Sequence, residues 1–134
     1  MAYGSIEDRL AIRELIESFS ATLACLDTDA WMQNWAEDGA WKLPSLPEDV
    51  VGREAIRATF LDKMSPVKAI SMLSYPNNLS IDGDTATGIA YCREIIELKT
   101  GDRKELLARF HDNYVRVNGE WKFARREYEV FSVM

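Results

Sequence analysis

From Val67 onward the chain alternates apolar and polar residues with a period of two, in four long stretches at 67–81, 85–99, 104–117 and 120–132. Turn signals separate them: Asp82-Gly83-Asp84, Thr100-Gly101-Asp102 and Asn118-Gly119. Asn-Gly is the strongest of these, because both residues accept the positive φ that a tight hairpin turn demands. Strands of this length, against a usual value of about five or six residues, have to twist and curl. A curled sheet has a concave face, and helices laid across it leave a conical cavity at one end. Pro76, inside the first long strand, predicts a bulge or an edge position.

Helical periodicity comes first along the chain. Ser5 with Asp8 three residues later resembles a capping box. Ile12, Leu15, Ile16, Phe19, Leu23 and Leu26 then step at three and four, one face of a helix reaching to about Asp27. A short second helix is expected near Asp29, a brief strand at Ala40–Leu43, and a break at Pro44–Pro47. Gly52 to about Met64 reads as a third helix with Ala55, Ile56, Phe60 and Met64 inward. Helices followed by a long antiparallel meander predict an α+β fold, the helices on one sheet face, within one domain of 134 residues.

Composition narrows function by exclusion. With 16 basic and 22 acidic residues the net charge is −6, which disfavours nucleic acid and anionic membrane as partners. The basic run Arg103-Lys104, Arg109, Arg116, Arg125-Arg126 is interleaved with acids and reads as a solvated sheet face. Cys25 and Cys92 are far apart in apolar contexts, as buried free thiols in a reducing cytoplasm would be. The opening MAYGSIEDRL is neither a leader nor a stop-transfer segment, and no apolar run approaches membrane-spanning length. A cytoplasmic protein is expected. Phosphate loops, paired histidines, Cys-x-x-Cys and nucleophile elbows are missing from the sequence, so no metal and no cofactor is expected. The chemistry on offer is acid–base work by carboxylates, tyrosines and the lone His111, or none.

Asp27 ends an apolar helix and is followed by Trp31, Trp35 and Trp41. It is either a general base, raised toward working pH by desolvation, or the cap of the next helix. On the strand around 109–116, Phe110, Asp112 and Tyr114 share one face while Arg109, His111 and Asn113 share the other. His111 is a candidate base or a half-buried strand residue, and Asp112 orients a partner or pairs with Arg125 or Arg126. Glu94 shares a face with Cys92 and Ile96, so it is a pocket acid or half of a buried ion pair. Tyr75 and Tyr91 offer phenolic donors to a developing oxyanion, or simply stand in water. Trp31, Trp35, Phe60 and Trp121 read as core, with Trp41 assigned toward the pocket.

The segments IEDRLAIRELIESF, LDTDAWMQNWAEDGAWKL, VVGREAI and FHDNYVRVNGEWKFARRE, in this order and spacing, resemble the SnoaL-like branch of the nuclear transport factor 2-like superfamily. The resemblance spans nearly the whole chain. It implies a cone-shaped α+β barrel, with three N-terminal helices on a strongly curved, mostly antiparallel sheet. Within the branch the chain looks closest to scytalone dehydratase, bile-acid dehydratase and hexachlorocyclohexane dehydrochlorinase, which pair an Asp from the first helix region with a His from the first long strand. Asp27 matches that Asp; the His position falls at Ser74 or Tyr75. The resemblance further implies that Trp41, Cys92, Glu94, Ala108 and Phe110 line the cavity, and that the chain forms a homodimer, with a trimer as the alternative. The expectation is a cofactor-independent lyase or isomerase acting on a hydrophobic cyclic or aromatic molecule, with Asp27, Tyr75 or His111 catalytic and Trp41, Tyr91, Cys92, Glu94, Ala108, Phe110 and Asp112 around the substrate. The alternatives are a non-catalytic binding or assembly module, or the small subunit of a ring-hydroxylating oxygenase.

Overall fold

The computed structural model describes residues 4–134; the first three residues of the opening segment lie outside it. Helix α1 (Ile6–Ala24) starts at Ser5, whose hydroxyl accepts from the Asp8 N–H at 3.1 Å. Only that half of the expected capping box forms. The Asp8 carboxylate instead accepts from Arg116 Nη1 at 2.6 Å and Trp121 Nε1 at 3.1 Å, tying the first helical turn to the last hairpin. Helix α2 (Thr28–Met32), strand β1 (Trp35–Lys42), the two-residue strand β2 (Val50–Val51) and helix α3 (Arg53–Met64) follow. Strands β3 (Val67–Asp82), β4 (Thr85–Leu98), β5 (Arg103–Val117) and β6 (Glu120–Val133) complete the chain.

The α+β expectation holds, and the four long strands fall within a residue of their expected limits. They form one six-stranded sheet in the order β2-β1-β6-β5-β4-β3. Its pairs are antiparallel except β1 with β6, which run parallel. Asn118 and Gly119 take φ of 51° and 80° in the final turn, as the hairpin requires. Pro76 lies on the edge strand, beside a register irregularity between Asn77 and Ser80 where Asn78 has φ 52°. It is therefore both at an edge and next to a bulge. Ala55 is exposed rather than inward, because α3 buries only the narrow stripe of Ile56 and Phe60.

A second irregularity matters more. Tyr114 pairs with Phe123 but Asn113 pairs with Arg125, so Ala124 is an extra residue in β6. It shifts the alternation: Trp121 and Phe123 face inward before it, Arg126 and Tyr128 after it. Arg126, expected on a solvated face, is fully buried. Its Nε and Nη2 donate to the two Asp112 oxygens at 2.7 and 3.0 Å, and Tyr114 Oη donates to Asp112 Oδ2 at 2.7 Å. The guanidinium carbon lies 3.6 Å from the Phe110 ring centre, 4.1 Å from Phe123 and 4.4 Å from Phe19. A buried charge is tolerable when it is paired and bonded in this way, and stacking on ring faces adds to the attraction. Removing one partner of such a pair typically costs about 3–5 kcal/mol.

Trp31 and Trp35 are enclosed at the junction of helices and sheet, with Trp31 stacked on Phe60 at 4.0 Å between ring centres. Trp121 is buried too, so the core assignments of these rings hold. Cys92 is buried, but Cys25 is exposed, since it lies past the last inward turn of α1. Asp112→Asn is expected to lower stability by about 3–5 kcal/mol, read from the urea midpoint at unchanged slope. A loss below about 1 kcal/mol would contradict the role given to the Asp112–Arg126 pair.

Candidate functional site

The helices and the concave sheet face enclose a cavity of about 500 Å³, within the range of small-molecule sites. Phe19 and Leu23 of α1, Trp31 of α2 and Phe60 of α3 form its helical side. Trp41, Met72, Leu106 and Phe110 come from the strands. Polar groups are few. Glu94 projects from β4, between Met72 on β3 and Leu106 on β5 in the strand register, and is 8% exposed. Tyr128 of β6 donates its hydroxyl to Glu94 Oε1 at 3.1 Å. Trp31 and Trp41 also line the cavity, and their indole N–H groups are buried without an acceptor.

Burial raises the Glu94 carboxyl from 4.5 to about 7, against the opposing effect of the Tyr128 hydrogen bond. Burial, followed by the nearby Glu94 charge, likewise pushes the Cys92 thiol to about 12, so it is an inert thiol at neutral pH. The Tyr128 phenol is held protonated by burial and by Glu94. The arrangement is an acid that titrates near neutrality inside an apolar chamber, with a donor holding it in place. Such a group can give or take a proton at physiological pH.

The sequence-derived candidates divide sharply. Glu94, Trp41 and Phe110 line the cavity. Cys92 and Ala108, paired across β4 and β5, are buried on the same inner face but are not part of the cavity wall. Asp112 is buried in the Arg126 ion pair, the structural alternative, and does not line the cavity either.

The candidate bases lie elsewhere. Helix α1 ends at Ala24, and Leu26 takes a left-handed φ of 52° that swings the chain around. Asp27 is left exposed, capping α2 by accepting from the Ala30 N–H at 3.1 Å. The capping alternative is the geometry observed, and the buried-base geometry is corrected. Tyr75 and Tyr91 are paired on the outer sheet face, their rings 5.7 Å apart, with Tyr75 60% exposed. His111 is also on the outer face, its Nε2 2.8 Å from Glu129 Oε1. Strand alternation separates these side chains from the chamber. Of the two positions offered for the relatives' histidine, Ser74 turns inward with a buried, unpartnered hydroxyl, and Tyr75 turns out.

Tyr128 was the partner that strand periodicity did not reveal. Counting by two from Trp121 and Phe123 puts it outward, and only the extra residue at Ala124 brings it in.

The helices and the curled sheet thus surround an apolar chamber, and among the described residues Glu94 is the one acid in its wall. The SnoaL-like domain model matches residues 4–127, and the chain belongs to that family. Among solved structures, a candidate aromatic ring hydroxylase from Novosphingobium aromaticivorans is 25% identical, with a TM-score of 0.87 over 98% of this chain and 94% of that one. A candidate scytalone dehydratase from the same organism is 21% identical, with a TM-score of 0.83 over 96% and 87%. A hexachlorocyclohexane dehydrochlorinase from Novosphingobium barchaimii is 18% identical, with a TM-score of 0.79 over 96% and 90%. No curated protein matches the sequence.

Between pH 4.5 and about 7 the folded protein keeps a proton on Glu94 that the unfolded chain has already released. The stability held by the protonated form is complete below pH 4.5 and is lost as pH rises through about 7, on the order of 3 kcal/mol. Urea midpoints across this window should therefore fall less steeply in Glu94→Gln than in the wild type. Parallel profiles would place the carboxyl in water.

Proposed function

We propose that this protein is a cofactor-independent enzyme performing acid–base chemistry on a hydrophobic cyclic or aromatic molecule in the cavity, by elimination or isomerisation. The observation that carries this reading is Glu94: a carboxyl buried in an apolar wall, raised by that burial to about 7, with a hydroxyl donor and, among the described residues, no ion-pair partner. Ionised Glu94 takes a proton from an activated carbon. The Tyr128 hydroxyl steadies the carboxylate, and the rings of Trp41, Phe60 and Phe110 grip the substrate. In an isomerase the proton returns to a neighbouring carbon. In a lyase the leaving group departs from the adjacent atom and the proton goes to solvent. An aromatic substrate also fits the ring named in the description of the first Novosphingobium relative.

A second reading, a carrier that binds without turnover, is favoured by Asp27, because the acid matched to the relatives' catalytic Asp stands outside the chamber in solvent. One experiment separates the two. Hydrophobic ketones, phenols and alcohols that raise the melting temperature are incubated with the protein and searched for product. Glu94→Gln is expected to cut turnover about 10²–10⁴-fold, while Asp27→Asn, which retains a good cap, leaves it nearly unchanged. Stabilisation with no product from any ligand supports the carrier, and turnover that survives Glu94→Gln removes Glu94 from the chemistry.

For the outer sheet face we propose pairing with a second copy of the chain. Leu73, Tyr75 and Phe131 are exposed there between the Arg93–Glu105 and Arg109–Glu129 pairs, so apolar surface is framed by equal and opposite charges that suit two-fold self-association. Light scattering is expected to give twice the chain mass, falling to one chain in Leu73→Asp. A threefold mass would indicate the trimer.

A further inference from the structure

The charges on the cavity wall are unevenly placed. Among the described residues Glu94 is the only acid lining it, and the basic liners are Lys63 and Lys104. Lys104 lies on β5 opposite Ile96, two residues along β4 from Glu94, which is about 7 Å toward the Leu98 end. Lys63 is in the last turn of α3, and its ammonium donates to Ser45 Oγ at 3.2 Å. Among the described residues neither lysine forms an ion pair with a carboxylate, although the chain has 22 acids to 16 bases. Lys104 is exposed and Lys63 partly so, whereas Glu94 is buried. The order from solvent inward is thus two cations, a ring of apolar side chains, then one acid held by a phenol.

From this layout we infer that the ligand is a hydrophobic monoanion, a ring body carrying a carboxylate or similar group at one end and a neutral, protic or carbonyl group at the other. Its charge stays at the mouth between Lys63 and Lys104, and its neutral end reaches Glu94. The reverse orientation would push an anion past apolar rings toward a carboxylate, where desolvation and like charge both oppose it. A fully neutral ligand would gain nothing from the two ammonium groups at the mouth, which water already solvates, whereas an anion gains two screened attractions. The inference rests on the cavity being the ligand site, and it adds the ligand's charge and direction of entry.

The test uses calorimetry at low ionic strength with three probes: 6-hydroxy-2-naphthoate, its methyl ester and 2-naphthol. The wild type is expected to bind the naphthoate about ten-fold more tightly than the ester, the sum of two partly screened ion pairs. In Lys63→Gln/Lys104→Gln the two affinities should converge to within about two-fold, with the ester little changed. Melting temperatures check that the double variant is folded, since neither side chain is in the core. Equal binding of acid and ester in the wild type overturns the inference while leaving the acid–base reading intact. So does a preference that persists in the double variant. Failure of all three probes to bind overturns it as well. The acid–base reading fails differently: the anion preference is present, yet turnover is indifferent to Glu94→Gln.

Discussion

The interior is organised by the burial of one guanidinium. Arg126 holds Asp112 through two hydrogen bonds and rests against Phe19, Phe110 and Phe123, so a helix and two strands converge on a single charged group. In the parallel register of β1 with β6 it also lies beside Trp41. Because that cation is committed to Asp112, Glu94 has only a phenol for company. Of two buried acids one holds the buried cation, and burial raises the carboxyl of the other. The chemistry of the site thus follows from an uneven allocation of charge in the core.

Strand length supplies the room. Strands of 14 to 16 residues carry register slips in the β3–β4 and β5–β6 pairs, and the helices packed on this sheet leave a chamber. Arg126 lies beside it, and two of the rings it rests on, Phe19 and Phe110, also belong to the chamber wall. The chamber is bounded by Trp31 and Phe60 from the helices and by Trp41 from β1.

Much of this could be read from the residues. Alternation and turn chemistry located the long strands because both are local properties, and Glu94 was identified because it stands on an otherwise apolar face with Cys92 and Ile96. Asp27 failed for a local reason of another kind: a left-handed residue at Leu26 redirects the chain, and a leucine gives no warning of positive φ. Tyr75, Tyr91 and His111 were weighed by chemical type, and strand parity then set them on the outside. Arg126 and Tyr128 were out of reach because their orientation depends on which residue of β5 each meets, a property of two strands together.

The extra residue at Ala124 has a genetic corollary. Loss of that one codon removes the bulged residue itself and leaves a regular pairing in which Arg126 and Tyr128 still face inward. Loss of the Glu127 codon, by contrast, sets Tyr128 directly after Arg126 and so on the opposite face, and the phenol leaves Glu94. Two three-nucleotide deletions in one strand thus have opposite consequences, according to which side of the ladder absorbs them.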